Sequence, residues 1–218
     1  MKELNGRELA RYIKERQAYE VRRLKSNKKI PKLVIFYDND NPVIEKYISL
    51  KKAYGEDIGI EGVDLRLTEE NAKQSLLEAS SDKNVDGIIV QLPLKTLNPD
   101  EILTLIPSEK DVDGLNGGYD SATAEAINWL LGGYNIDLKN KKIALVGRGK
   151  LVGAPLEKMW GDSGLELSVF HRGDDLSKLS EYDVIVTATG VPGLITNKML
   201  KPSAVVIDAG EHLLHQQR

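Results

Sequence analysis

The stretch IALVGRGKLVGAP, Ile143 to Pro155, decides the fold of the second half of this chain. Ile143, Ala144, Leu145 and Val146 make a short, wholly apolar run, the pattern of a strand whose sheet is covered on both faces. The run leads straight into Gly147, Gly149 and Gly153, and a helical pattern begins at about Gly153. Glycines in that place permit a tight turn and a close approach of backbone to a pyrophosphate, whose charge then meets a helix amino terminus. The spacing is GxGxxxG, one residue longer than the usual dinucleotide fingerprint, so the motif alone leaves open a plain strand-to-helix turn that needs small residues. The strand before it and the helix after it favour a Rossmann-like dinucleotide-binding unit.

The same alternation extends outward in both directions. Beyond the loop, LELSVF, DVIVTA and AVVIDAG read as further strands. Upstream, Leu33 to Tyr37 (LVIFY) reads as a strand, and Asn41 caps a helix that opens with Pro42 and runs to about Tyr54, with Gly55 to Gly59 punctuating its end. Val63, Leu65 and Leu67 alternate as a strand, Thr68 caps a helix bearing Ala72, Leu76, Leu77 and Ala79, and Asn98-Pro99 opens a short helix through Ile106. A helix carrying Ala126, Ile127, Trp129 and Leu130 ends at Gly132-Gly133. Repeated strand–helix units imply an α/β protein with parallel sheets and helices on both faces. A boundary falls within residues 115–140, giving an N-terminal α/β lobe over 1–120 and a Rossmann-like lobe over 121–218, with a cleft between them.

Composition narrows the function. The net charge of -3 and the 6% of aromatic residues argue against a nucleic-acid binder. The first thirty residues are basic, but Leu9, Ile13, Val21 and Leu24 recur at helical spacing beneath Arg7, Arg11, Lys14 and Arg22, which reads as one amphipathic helix with a solvated basic face. The absence of cysteine excludes disulfides, thiolate catalysis and zinc ribbons, and no metal ligands are assigned. No apolar signal region opens the chain and no run approaches the roughly 20 apolar residues of a membrane span, so a cytoplasmic protein is expected.

Cofactor choice turns on the strand after the glycine loop. NAD binders place an acidic residue there to bond the ribose 2′-hydroxyl. Here Phe170 is followed by His171 and Arg172, and Arg148 lies in the glycine loop itself. Cationic donors suit a 2′-phosphate and favour NADP, with Asp174 and Asp175 as the opposing signal.

In the first lobe, DGIIVQLPL (Asp86 to Leu94) carries a buried strand that stops at Gln91 and turns at Pro93. Tyr47 and Lys51 stand four apart on a predicted helix and share a face. Asp113 sits in the glycine-rich acidic loop KDVDGLNGGYD, Lys110 to Asp120. All four residues can reach one cleft edge, at the carboxyl ends of strands where ligands of α/β sheets bind. A lysine taken out of water near other cations, here Lys46 and Lys52, has its pKa lowered toward neutrality and can move protons.

YISLKKA followed by Gly59-Ile60, then VDGIIVQLPL, EKDVDGL, VGRGKLVGAP, ATGVPG and AVVIDAG stand here in the order found in a known family. Over nearly its whole length the chain resembles the bifunctional methylenetetrahydrofolate dehydrogenase/methenyltetrahydrofolate cyclohydrolases. The resemblance implies a folate-binding catalytic domain over 1–120 and an NADP-binding domain over 121–218, with a folate as substrate and two chains per assembly. It implies that Lys51 is the principal catalytic residue, that Tyr47 stacks on the folate, that Gln91 hydrogen-bonds the lysine and that Asp113 anchors the pterin. Thr123 matches the threonine of a PCTP-like segment and is carried over as cofactor-binding, although the flanking prolines are missing from LNGGYDSATAEA. The HSxT-like motif of the family stands here as His171-Arg172-Gly173-Asp174. The chain ends in EHLLHQQR where the family continues into a proline- and glycine-rich segment; His212 and His215 there read as solvated tail. A reduced, non-catalytic dinucleotide- or folate-binding protein therefore stands as the alternative to an enzyme. An unrelated Rossmann oxidoreductase would leave VQLPL and DVDG unexplained.

Overall fold

The computed structural model describes residues 3–209; His212 and His215 lie outside them. The chain divides into two units, 1–119 and 120–218, each with its own parallel sheet and core. No helix among the described residues is long and apolar enough to cross a membrane.

The first unit runs α1 (Gly6–Ser26), β1 (Lys32–Tyr37), α2 (Pro42–Ile58), β2 (Glu61–Arg66), α3 (Ala72–Ser81), β3 (Gly87–Val90) and α4 (Pro99–Thr104). Its sheet has the order β2-β1-β3 and is parallel throughout. Strand alternation divides the apolar residues between two faces. Val34, Phe36, Ile88 and Val90 pack with Leu76, Ala79 and Ile102 of α3 and α4. Ile35 and Ile89 pack on the other face with Ile44 and Ile48 of α2.

Several local expectations shift. Helix α2 does not stop at Tyr54: Gly55 is buried inside it, Ile58 continues the apolar stripe, and Gly59 at φ +91° ends it. Burial of Ile58 outweighs the roughly 1 kcal/mol that an interior glycine costs a helix. Thr68 does not cap α3. It forms the preceding turn, its Oγ1 accepting from Asn71 N (3.3 Å), and the helix starts at Ala72. Leu65 is 43% exposed because β2 is an edge strand, whereas Leu67 beyond it is buried. On α1, Val21 is buried, Leu9 and Ile13 are half-buried, and Leu24 is exposed.

The second unit runs α5 (Ala122–Gly133), β4 (Ile143–Val146), α6 (Gly153–Asp162), β5 (Leu167–Phe170), a 3-10 turn (Leu176–Glu181), β6 (Val184–Thr187), a shorter one (Asn197–Met199) and β7 (Val205–Asp208). The sheet order is β5-β4-β6-β7, again parallel. Ile143, Leu145, Val184 and Val186 pack against Ile127, Leu131, Leu156 and Trp160 of α5 and α6. The opposite face, with Ala144, Val146 and Ile185, takes Leu179, Leu194, Ile195 and Leu200 from the 3-10 turns and loops. Among the described residues, α-helices cover both faces of the first sheet but one face of this one. Gly173, Gly190, Pro192, Gly193 and Pro202 break the connecting segments and disfavour a regular helix.

In each sheet the winding reverses once, between β1 and β3 in the first and between β4 and β6 in the second. Consecutive connections leave such a pair of strands in opposite directions, and a crevice opens at their carboxyl ends. Those ends are Tyr37 and Val90 in one unit, and Val146 and Thr187 in the other.

Candidate active site

In the first unit the crevice is furnished by two periodicities. Strand β3 alternates, so Gln91, two residues beyond Ile89, lies on the α2 side of the sheet. Helix α2 presents Ile44, Ile48 and, one turn later, Lys51 along its inward stripe. The two side chains meet: Lys51 Nζ donates to Gln91 Oε1 over 2.7 Å, and Gln91 Nε2 donates to Leu92 O over 3.1 Å. Tyr47, a turn before Lys51 on the same helix, is 40% exposed.

Asp113 is delivered by the loop after α4. Ile88 N donates to Lys110 O (2.7 Å) and Ile88 bridges Asp111 in parallel, so this loop extends the sheet beside β3. Gly87 permits the close approach, since a Cβ there would stand 2.9 Å from Val112 Cγ1. Asp111 is buried and its carboxylate accepts from Asn116 N, which closes the turn.

The electrostatics follow from burial. Desolvation pushes the Lys51 amine below the ordinary lysine range, and the Asp113 carboxylate opposes that only in part. Desolvation likewise raises Asp113, with Lys51 pulling it down and Asp111 pushing it up. The neighbouring lysines are not the cause: Lys46 is exposed, and Lys52 is paired with Asp64 on β2. The result is a half-buried amine held by a neutral amide, beside a carboxylate reluctant to ionise. Such an amine can exchange protons nearer neutral pH than an exposed one.

The second unit holds a cavity of about 620 Å³ at the carboxyl ends of β4, β5 and β6, a size typical of ligand sites. Gly147, Arg148, Gly149, His171, Arg172 and Thr189 are in its lining. The three glycines act differently. Gly147 adopts φ +94°, a region that side chains disfavour. A Cβ on Gly153 would stand 2.2 Å from Gly147 O, so α6 can begin against the loop only with glycine there. A Cβ on Gly149 would meet only Ala188 O, at 3.9 Å, which leaves that backbone open to a ligand. Open backbone at the start of α6 with cationic side chains nearby fits a dinucleotide.

Arg148 Nε is ion-paired with Glu157. The two aspartates that opposed NADP are engaged in local turns: Asp174 accepts from His171 N (2.6 Å) and Asp175 from Ser177 N (3.0 Å). Thr123 is exposed on the first turn of α5 and is not in the cavity lining. Sequence reasoning gave no role to Thr189, although ATGVPG marked its segment, and none to Asp38, a buried carboxylate at the end of β1 whose only signal was its place directly after LVIFY.

Comparison with known proteins agrees with this two-part organisation. Residues 4–113 match the sequence profile described as tetrahydrofolate dehydrogenase/cyclohydrolase, catalytic domain, and residues 121–218 match the NAD(P)-binding domain of the same family. The bifunctional protein FolD of Macrococcus caseolyticus is 34% identical over 227 residues, covering 96% of this chain and 80% of the relative. The crystal structure of the bifunctional FolD enzyme from Campylobacter jejuni superposes with a TM-score of 0.93 at 31% identity, covering 99% of this chain and 83% of that one. The Trypanosoma brucei N5,N10-methylenetetrahydrofolate dehydrogenase-cyclohydrolase, solved with NADP cofactor and inhibitor, gives 0.87 at 25% identity, over 94% of this chain and 77% of that one. The chain belongs to the tetrahydrofolate dehydrogenase/cyclohydrolase family.

Proposed function

We propose that this protein oxidises 5,10-methylenetetrahydrofolate to 5,10-methenyltetrahydrofolate with NADP and hydrolyses the product to 10-formyltetrahydrofolate. The observation that carries the reading is the half-buried Lys51 amine, aimed by Gln91 and flanked by Asp113. Residues 1–120 serve as the folate-binding catalytic domain and 121–218 as the NADP-binding domain.

NADP, bound in the second unit's cavity, supplies the acceptor for the hydride that leaves the one-carbon bridge. Gly147 and Gly149 would bring backbone to its pyrophosphate, with Gly153 letting α6 begin against that loop, and Arg148 and Arg172, beside His171, would supply donors to a 2′-phosphate. In the first unit, Asp113 accepts paired hydrogen bonds from the amino-pyrimidine edge of the pterin, and Tyr47 stacks on the folate. Lys51 moves the protons. As water oxygen bonds to the methenyl carbon, the neutral amine takes one water proton; the ammonium then returns it to the ring nitrogen as the carbon–nitrogen bond breaks, and the remaining hydroxyl proton passes to solvent as the formyl carbonyl forms. Gln91 orients the amine by accepting from it.

A spectrophotometric assay of the purified chain tests the reading. Methenyltetrahydrofolate should form only with dinucleotide and folate together, and added methenyltetrahydrofolate should be hydrolysed without dinucleotide. A chain inert in both assays would instead be a non-catalytic binding protein. Calorimetry should give tighter binding of NADP than of NAD; equal affinities would sink the 2′-phosphate argument. The protein is further proposed to be a cytoplasmic dimer, checked by fractionation and by light scattering at micromolar concentration.

A further inference from the structure

Asp38 follows the last residue of β1 and is 4% exposed. An ion that far from water is costly unless hydrogen bonds replace its hydration. Here the replacement is a single loop. Lys95 N donates to Oδ1 (2.5 Å), while Thr96 N (2.8 Å), Thr96 Oγ1 (3.1 Å) and Leu97 N (3.0 Å) donate to Oδ2. The Lys95 ammonium turns away to Asp40, at 3.1 Å. Burial by itself raises the Asp38 pKa, yet the backbone N–H groups of Thr96, Leu97 and Lys95 hold it below the usual carboxylate range. Beside it, Asn39 Nδ2 donates to Pro93 O over 3.1 Å.

These contacts bracket one short span. At its start, Gln91 N donates to Phe36 O (2.8 Å), the last ladder bond between β3 and β1. At its end stands the cradle of Asp38. Within it lies Leu92 O, the acceptor of the Gln91 side-chain amide, and that bond directs Oε1 to Lys51. We propose that Asp38, with Asn39, is a positioning pair: it fixes the Leu92–Leu97 loop, and through Leu92 O the amide of Gln91, and so aims the Lys51 amine. The inference rests on the catalytic reading above for its consequence, but not for its structural part.

Two variants separate the steps. Asp38→Asn turns an amide NH2 toward backbone donors, while Asn39→Ala removes the bond to Pro93, and the one its Oδ1 accepts from Asn41 N (3.1 Å), and leaves the buried carboxylate in place. The ligand-free protein is examined first, by the NMR resonances of the Gln91 side-chain amide. In Asn39→Ala, and in Asp38→Asn if it folds, the two amide protons should move toward free-glutamine positions; unchanged resonances would overturn the proposal whether or not the protein is an enzyme.

Turnover is the second arm. With each tenfold corresponding to 1.36 kcal/mol of barrier, Asn39→Ala should lower cyclohydrolase kcat about threefold and Asp38→Asn up to about tenfold, no more than the loss of the Gln91 amide itself. KM for the folate should stay within about twofold, since Asp113 is untouched. In a Gln91→Ala background neither substitution should cost a further twofold, because residues acting through one another are not additive. Equal losses in both backgrounds would mean general scaffolding and would overturn the positioning role. An inert wild-type chain would overturn the catalytic reading instead, and the resonances would still decide whether this pair holds Gln91.

Discussion

Lys51 Nζ donates to Gln91 Oε1 over 2.7 Å, joining the middle of α2 to the end of β3. The acceptor is a neutral amide, so the amine gains direction without a compensating charge, and burial dominates its protonation. Orientation and basicity are therefore set by different neighbours, and they can be perturbed separately.

Lys51→Met keeps most of the apolar stem and removes the amine. General acid–base groups contribute about 10²- to 10⁴-fold, and a cyclohydrolase loss of that size is expected. NADP affinity measured by calorimetry should stay within about twofold, because the dinucleotide cavity is lined by residues of the second unit alone. Gln91→Ala should show a milder loss of about tenfold, the cost of one hydrogen bond of about 1.4 kcal/mol to a charged group. A lysine variant that retains its rate would remove this residue from the mechanism.

The pH profile carries a sign. Cyclohydrolase kcat should rise with pH through an apparent pKa below the ~10.4 of a free lysine, as the amine becomes neutral. Gln91→Glu places an opposite charge at the acceptor, favours the ammonium and should move that limb upward. Asp113→Asn removes the carboxylate that opposes the depression and should move it downward, while weakening folate binding. Linkage to folding has the same origin. Since the folded pKa of Lys51 lies below its unfolded one, the group disfavours the folded state at neutral pH, and this penalty fades as pH rises through the folded value. Lys51→Met should accordingly raise the thermal midpoint. Profiles unmoved in Gln91→Glu and Asp113→Asn would show that another group titrates.

Gly87→Ala would place a methyl 2.9 Å and 3.1 Å from the two Val112 γ-carbons and 3.3 Å from Leu33 Cδ1. Overpacking of this kind costs about 1–3 kcal/mol, read by chemical denaturation. A loop that gives way at Val112 carries the adjoining Asp113 outward, so folate KM should rise more than kcat falls. A normal KM in a destabilised variant would mean that Asp113 does not hold the folate.

Gly149→Ala and Gly153→Ala should fail in opposite ways. At Gly149 a methyl has room in the free protein, and the thermal midpoint should hold while NADP binding weakens about tenfold, or 1.4 kcal/mol. At Gly153 the methyl would overlap Gly147 O, and stability should fall first. A Gly149 variant that binds NADP normally would place the pyrophosphate elsewhere.

Local periodicity made much of this legible. The apolar run Ile143–Val146 with its glycines announced the second sheet and its site. Lys51 continues the inward stripe of Ile44 and Ile48, and Gln91 keeps the alternation of Ile89, so spacing brought both to one cleft edge, while the hydrogen bond between them was implied only by the family resemblance. What stayed hidden depends on partners distant in sequence. Asp38 is cradled by residues more than fifty positions away, and nothing adjacent to it foretold burial. Leu65 alternated correctly but occupies an edge strand, which only the strand order reveals. The breakers at Gly190, Pro192 and Gly193 were visible, but their outcome, a sheet face covered by 3-10 turns and loops, depended on which apolar residues those segments could deliver.

Gln91 reaches Lys51 because an even number of steps separates it from Ile89, and this constrains evolution in an unusual way. Ile88, Ile89 and Val90 could exchange with other branched aliphatics at small cost, since volume-conserving swaps cost under about 1.5 kcal/mol. Their number could not change. Deleting any one of them would flip the parity of the strand and send the glutamine amide among Leu76, Ile102 and their neighbours on the far face. Substitutions should therefore accumulate in this segment across related sequences while insertions and deletions are purged from it, a bias that a count of aligned gaps can measure.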